Sequence, residues 1–308
     1  MTATGTDTTL EQALFGRLVD HAALFPPASM SIPDAAAEDR QARESPQAWM
    51  LARFVCPASK LADLRAEMPW EGAPGLSVVL DGAGAAPADG WADALAGDVE
   101  LVARAAAEGA PVESVELRLP GSRPEPAVLV RARAALEALA VESFFELAPD
   151  ERWHDALPAD IGAVAALGGR VKLRCGGASA EAFPPVELVA LVIASCHGAG
   201  VPFKATAGLH HPIRHVDEAS GFPMHGFLNL LAASTLAHAQ GARPGELERV
   251  LAEEDEAAFR VAEGTLEVAG RRASAAEIAA TRRSLFTSYG SCSWREPVED
   301  LQALGMLA

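Results

Sequence analysis

Of the 25 basic residues in this chain, three are lysine: Lys60, Lys172 and Lys204. The others are arginine. A lysine kept in such a background marks a position where arginine does not serve. A buried ammonium can shed its proton and act as a nucleophile or base, whereas a guanidinium stays charged. Lys172 and Lys204 lie in short apolar runs, RVKLRC and PFKATAG, that read as strands. Lys60, in CPASKLADL, opens a helical stretch and is expected to meet solvent. If Lys172 and Lys204 are neighbours, each disfavours the charged form of the other, and the neutral amine can attack a carbonyl carbon.

The residues around these lysines could complete such chemistry. Side chains at i and i+2 of a strand share a face. In SVELRL, Glu116 and Arg118 share a face; in SFFEL, Glu146 shares one with Phe144. Lys172 shares a face with Arg174, and Lys204 with Thr206. The opposite faces are apolar and must meet helices, so the charged faces are expected to converge on one interior. There Glu116 and Glu146 are candidates to move protons. Arg118, Arg174 and Thr206 are candidates to hold a carboxylate or phosphate. The competing reading of the same charges is a structural network of buried ion pairs.

Just beyond Lys204 the segment KATAGLHHPIRH carries His210, His211, Arg214 and His215. With His225, four of the eight histidines fall between 210 and 225. His210 and His211 are candidate proton carriers and Arg214 a further anion contact. An alternative assigns His210, His211 and His215 to a divalent metal, zinc or manganese, completed by Asp20, His21 or a glutamate. The spacing matches no HExxH or HxH motif. Two glycine-bearing segments, RCGGAS and SYGSCS, could bring backbone N–H groups to an anion, with Tyr289 and Ser291 beside it.

Something must position these groups. Eight strand-like runs recur: 22–25, 50–56, 76–80, 114–119, 143–147, 170–175, 202–208 and 285–290. Ala-rich stretches of helical period separate most of them, as in ADALAGDVELVARAAAEGA and PVELVALVIASCHGAG. Strand–helix alternation implies a parallel sheet, and eight repeats in this length imply a closed (β/α)8 barrel of one domain, 1–308. A segment at 10–19 would cap its bottom. Residues 240–273 read as an insertion between strands seven and eight, with a hairpin turning at Glu263-Gly264. An open doubly wound sheet is the other α/β reading, but no GxGxxG or Walker motif follows a strand. Asp20 and His21 precede the first run, AALF, and are expected towards the barrel bottom.

The bulk properties narrow the partners. Half of the 308 residues are hydrophobic and the net charge is −17. No basic face suits nucleic acid, and an acidic body disfavours anionic membranes. No signal-peptide pattern opens the chain, and no apolar run approaches the roughly 20 residues of a membrane span. Four cysteines without CxxC spacing fit a reduced, cytoplasmic protein. A small anionic substrate remains compatible, because local cations override the global field. The acidic, Ala-rich helices suit a homo-oligomer as well as a solvated surface.

A lysine on the sixth strand with another on the seventh resembles the class I aldolases of the deoxyribose-phosphate aldolase type. Their Schiff-base strand reads Lys-Thr-x-Thr-Gly, and Lys204-Ala-Thr-Ala-Gly208 is similar to it, though on strand seven rather than six. The resemblance covers two short segments. It implies a cofactor-free carbon–carbon lyase in which one lysine forms the Schiff base and the second tunes it. Beside it stand an isomerase of a carbonyl substrate, a metal-dependent lyase, isomerase or hydrolase, and a non-catalytic binding barrel.

Overall fold

The computed structural model describes residues 8–121, 125–147, 152–218, 220–262 and 264–307. Eight parallel strands close into a barrel: Val19–His21, Leu51–Pro57, Leu76–Val79, Val112–Arg118, Glu142–Glu146, Arg170–Arg174, Phe203–Thr206 and Phe286–Ser291. Each strand pairs with its neighbours in sequence order, and the eighth closes on the first through Val19↔Tyr289, Asp20↔Gly290 and His21↔Ser291. This is the (β/α)8 architecture expected from the alternation. Helices such as Trp91–Ala107, Pro126–Leu136 and Val186–Ala199 cover the outside. Their buried faces (Leu95 and Val102; Leu129 and Leu136; Val189 and Ile193) meet the apolar outward faces of the strands.

The first strand is not the apolar run 22–25 but Val19–His21, one step earlier. Ala22 N–H donates to Ser291 O, and the chain then turns, with Phe25 N–H on Ala22 O, towards the helix Ile32–Glu44. Asp20 is therefore within the barrel wall, not below it.

Between strands seven and eight the chain adds two helices, Phe227–Gln240 and Pro244–Leu251, and a three-stranded antiparallel sheet, Arg260–Ala262, Thr265–Val268 and Arg271–Ser274. The expected hairpin is the first pair of this sheet, with Ala262↔Thr265 at its end. Of the two residues expected at the turn, Glu263 lies outside the described residues.

By length and composition Ala180–Ala199 meets the criterion for a membrane span, which run length alone did not suggest. In the barrel it is interrupted at Pro184 and Pro185. It then continues as the helix Val186–Ala199, with Leu188, Val189, Ile193 and Cys196 buried against the wall.

Charges close the bottom of the barrel. Arg53 pairs with Glu113 at 3.0 Å and Glu142 at 2.9 Å, and Arg170 pairs with Glu142 at 2.5 Å. Arg282 spans the seam below strand eight. Its guanidinium donates to the carbonyls of Leu14, Gly16, Arg17, Phe286 and Thr287 at 2.8–3.2 Å. It ties the helix Leu10–Phe15 to the last strand.

Candidate active site

The strand register sets Arg118, Glu146, Lys172 and Lys204 level across strands four to seven. Alternation then turns them inward together, as the pleat requires. Both lysines reach one carboxylate. Glu116 Oε2 accepts from Lys172 Nζ at 2.8 Å, and Glu116 Oε1 accepts from Lys204 Nζ at 2.7 Å. Glu146 Oε2 holds Lys172 from the other side at 2.9 Å. Asp20 Oδ2 holds Lys204 at 2.5 Å.

Smaller groups satisfy the remaining oxygens. Ser77 Oγ donates to Glu116 Oε1 at 2.7 Å, and Ser114 Oγ donates to Ser77 Oγ at 2.8 Å. Ser288 Oγ donates to Asp20 Oδ2 at 2.8 Å, and Arg53 N–H donates to Asp20 Oδ1 at 3.2 Å. Phe144 forms a floor, with Lys204 Nζ 5.4 Å from its ring centre. Buried charges persist only when paired and hydrogen-bonded in this way.

The two lysines differ in depth. Lys204 and Asp20 are 1% and 0% exposed, whereas Lys172 and Glu146 each retain 8%. Lys172 and Glu146 are thus the pair nearer the mouth, and Lys204 is the deeper cation.

Electrostatics departs from expectation. Burial alone would strip the Lys172 proton, but Glu116 and Glu146 outweigh it and hold the ammonium above its ordinary range. Burial alone would protonate Glu116, but Lys172 and Lys204 outweigh it and hold the carboxyl well below the usual carboxylate range. The second lysine does not act on Lys172 directly, because Glu116 stands between the two ammoniums. In the unliganded barrel Lys172 is a firmly held cation.

Arg118 and Arg174 are exposed at the mouth, and Thr206 is half-buried. Arg174 Nε donates to Gly176 O at 2.9 Å. Thr206 faces Gly290, where an added Cβ would lie 3.0 Å from Thr206 Oγ1.

In the histidine block His211 and His215 meet edge to face, with ring centres 4.6 Å apart, but each ring nitrogen described has its own partner. His210 Nδ1 faces Glu296 at 2.9 Å, His211 Nδ1 faces Asp300 at 2.6 Å, and His215 Nδ1 faces Ile213 O at 3.1 Å. Cys292 and Glu296 draw the His210 pKa up to about 9 against its burial. Among the described residues no three His, Cys, Asp or Glu stand in a metal-holding group. The proposed His210, His211 and His215 set lacks convergence because helix Arg295–Ala303 supplies a separate carboxylate to each of the first two. Arg214 turns away too: its Nε lies 3.5 Å from Glu254.

Two expected anion contacts face elsewhere. Tyr289 is fully buried on the outward side of strand eight and stacks on Phe227, with ring centres 4.8 Å apart. Parity explains this, since Ser288 and Gly290 take the inward positions. Ser291 Oγ donates to Ser293 O at 2.6 Å inside its own turn.

Asp20 is the residue that sequence reasoning undervalued, and Ser77 and Ser114 escaped it. A three-residue strand carries no periodic signal, and small hydroxyls look alike everywhere in a chain. The one available sign was an acid and a histidine set within an apolar run, LVDHAALF.

No protein-family model matches the chain, and no curated protein matches it. Among solved structures it is similar to the YdjI aldolase from Escherichia coli K12, at 13% identity and a TM-score of 0.31, over 80% of this chain and 91% of that chain. At that score the likeness carries no argument, and the fold rests on the closed parallel barrel itself.

Proposed function

We propose that this barrel is a lyase of the aldolase kind, or an isomerase, in which Lys172 forms a Schiff base with a small anionic carbonyl compound. The observation that carries this reading is the position of Lys172 Nζ, 2.8 Å from Glu116 and 2.9 Å from Glu146 at the open side of the cluster. A carbonyl entering the mouth meets Lys172 before Lys204. Glu146 takes the Lys172 proton as the substrate arrives. The free amine adds to the carbonyl carbon, and the carbinolamine expels water to leave an iminium. In a lyase the bond between the α and β carbons breaks, its electron pair passes into an enamine, and the β-hydroxyl proton goes to a carboxylate. Returning that proton to carbon and adding water releases the second product and restores Lys172. Glu116, Lys204 and Asp20 stand beneath, as a fixed frame in a buried interior.

The firm hold on the Lys172 proton favours a second reading. There Lys172 stays an ammonium and stabilises an enolate without a covalent bond. Borohydride reduction in the presence of small oxo acids separates the two. A mass increment at Lys172 supports the Schiff base. Turnover without any increment, lost in Lys172→Met, moves the assignment to the enolate reading. An increment on Lys204 alone sinks the assignment of Lys172.

A further inference from the structure

Most cations of the lumen are spoken for. Lys172, Lys204, Arg53 and Arg170 each meet a carboxylate. Arg118 and Arg174 meet none among the described residues. The chain has 42 acidic residues to 25 basic ones, so acids to pair with these two are not in short supply. Arg118 opens onto a pocket beyond the ends of strands three and four, which Gly84, Leu119 and Gly121 also line and which the lysine cluster does not reach. Arg174 spends its Nε on Gly176 O, which leaves the two terminal nitrogens of its fork.

Their placement is also specific. Arg118 is level with Glu146 and Lys172, and Arg174 stands on the same face as Lys172, two residues towards the mouth. Strands four and six flank strand five, so the two arginine backbones stand about 12 Å apart, two strand spacings of ~4.8 Å across and two residues of ~3.3 Å along. Long side chains from the two positions can close on a short molecule from both sides while its carbonyl meets Lys172. A planar fork matches a carboxylate through two parallel hydrogen bonds.

We propose that the compound acted on at Lys172 is a short oxo-dicarboxylate, held by Arg118 at one carboxylate and by Arg174 at the other. This rests on the reading of Lys172 as the reacting group, and it is tested in two separable ways. The first uses unreactive anions with the whole protein. Succinate should bind about tenfold or more tightly than acetate. Arg118→Gln and Arg174→Gln should each weaken succinate by about ten- to a hundredfold, the worth of one charge-assisted pair. Arg118→Lys should recover part of the loss. Both arginines are exposed, so circular dichroism should report intact folds. Equal binding of succinate and acetate, tighter binding of inorganic phosphate than of succinate, or indifference to both glutamine variants would overturn the proposal.

The second uses borohydride trapping with 2-oxoglutarate, pyruvate and acetone. Lys172 should be labelled at the lowest concentration by 2-oxoglutarate, and each glutamine variant should shrink its advantage over pyruvate. Equal labelling by 2-oxoglutarate and pyruvate would also overturn the proposal. Selective succinate binding with no label from any of the three would leave the dianion site standing and remove the Schiff-base reading.

Discussion

Lys204 Nζ lies 2.5 Å from Asp20 Oδ2, which joins the seventh strand to the first across the lumen. Both groups are almost wholly buried. Through Glu116 the same ammonium is linked to Lys172, so charges from the first, fourth, fifth, sixth and seventh strands form one connected set. Removing either lysine takes the ammonium from an acid, Glu146 or Asp20, and removing any one acid leaves a lysine with one carboxylate in place of two.

Glu116 is the centre of that set, and its neutral variant should be costly. Glu116→Gln leaves two ammoniums sharing an amide oxygen, and breaking a buried ionic group from one side costs about 3–5 kcal/mol. Denaturant unfolding of the two proteins measures this. A loss below 1 kcal/mol (roughly the worth of an ordinary surface pair) would contradict a central role for Glu116. If the variant folds, Lys172 should also release its proton more readily, and borohydride trapping should extend to lower pH.

His21 predicts a pH-dependent difference away from the lumen. It faces outward from strand one, with Nδ1 3.0 Å from Asp39 Oδ1 and Nε2 3.8 Å from Glu38 Oε2, while Arg43 holds the other Asp39 oxygen at 2.8 Å. Burial opposes its charge, but Asp39 and Glu38 prevail and raise its pKa above 6.5. A histidine raised on folding gives its full stabilisation below its ordinary value and loses it as pH climbs through the folded value. His21→Gln should therefore lie further below the parent in melting temperature at about pH 5.5 than at about pH 9. A gap that stays constant, or widens as pH rises, would rule this out.

Arg282 closes the seam with hydrogen bonds to five carbonyls. A methionine fills similar space but leaves those acceptors without their donor. Arg282→Met is expected to lose about 2–4 kcal/mol, since several partly buried acceptors go unsatisfied at ~1–3 kcal/mol each with some recovered by water. Hydrogen exchange should open first in the helix Leu10–Phe15. Unchanged protection of that helix would count against the seam.

Gly208 sits beside the lysine strands with φ +65, and an added Cβ would lie 2.9 Å from Cys175 O. Gly208→Ala combines a left-handed backbone with a backbone clash, so it should cost more than about 1 kcal/mol and displace the ends of strands six and seven. Trapping at Lys172 should fall along with stability. Gly198→Ala makes a control, because nothing lies within 4 Å of its added Cβ.

Much of this was legible in order along the chain. The alternation of RVKLRC and PFKATAG gave the inward lysines, and the same period gave Glu116, Glu146, Arg118 and Arg174. What failed did so for local reasons. AALF outweighed VDH as a strand because apolar length dominates a short window, which misplaced Asp20. The histidine block looked like one site because its members are close in sequence. Their ring nitrogens instead follow the acids of helix Arg295–Ala303 and nearby backbone.

By itself, the sequence determined the eight-fold alternation, the inward faces and the rarity of lysine, because these depend on residue type and period alone. Only the tertiary structure decided that Glu116 stands between the two lysines and that Asp20 closes the set. A lysine pair read from spacing predicts a depressed Lys172, while the folded pair has a carboxylate inserted and Lys172 held above its ordinary range. The sign of that shift is set by distances of 2.8 and 2.9 Å between strands remote in sequence, and at such range the two carboxylates outweigh burial.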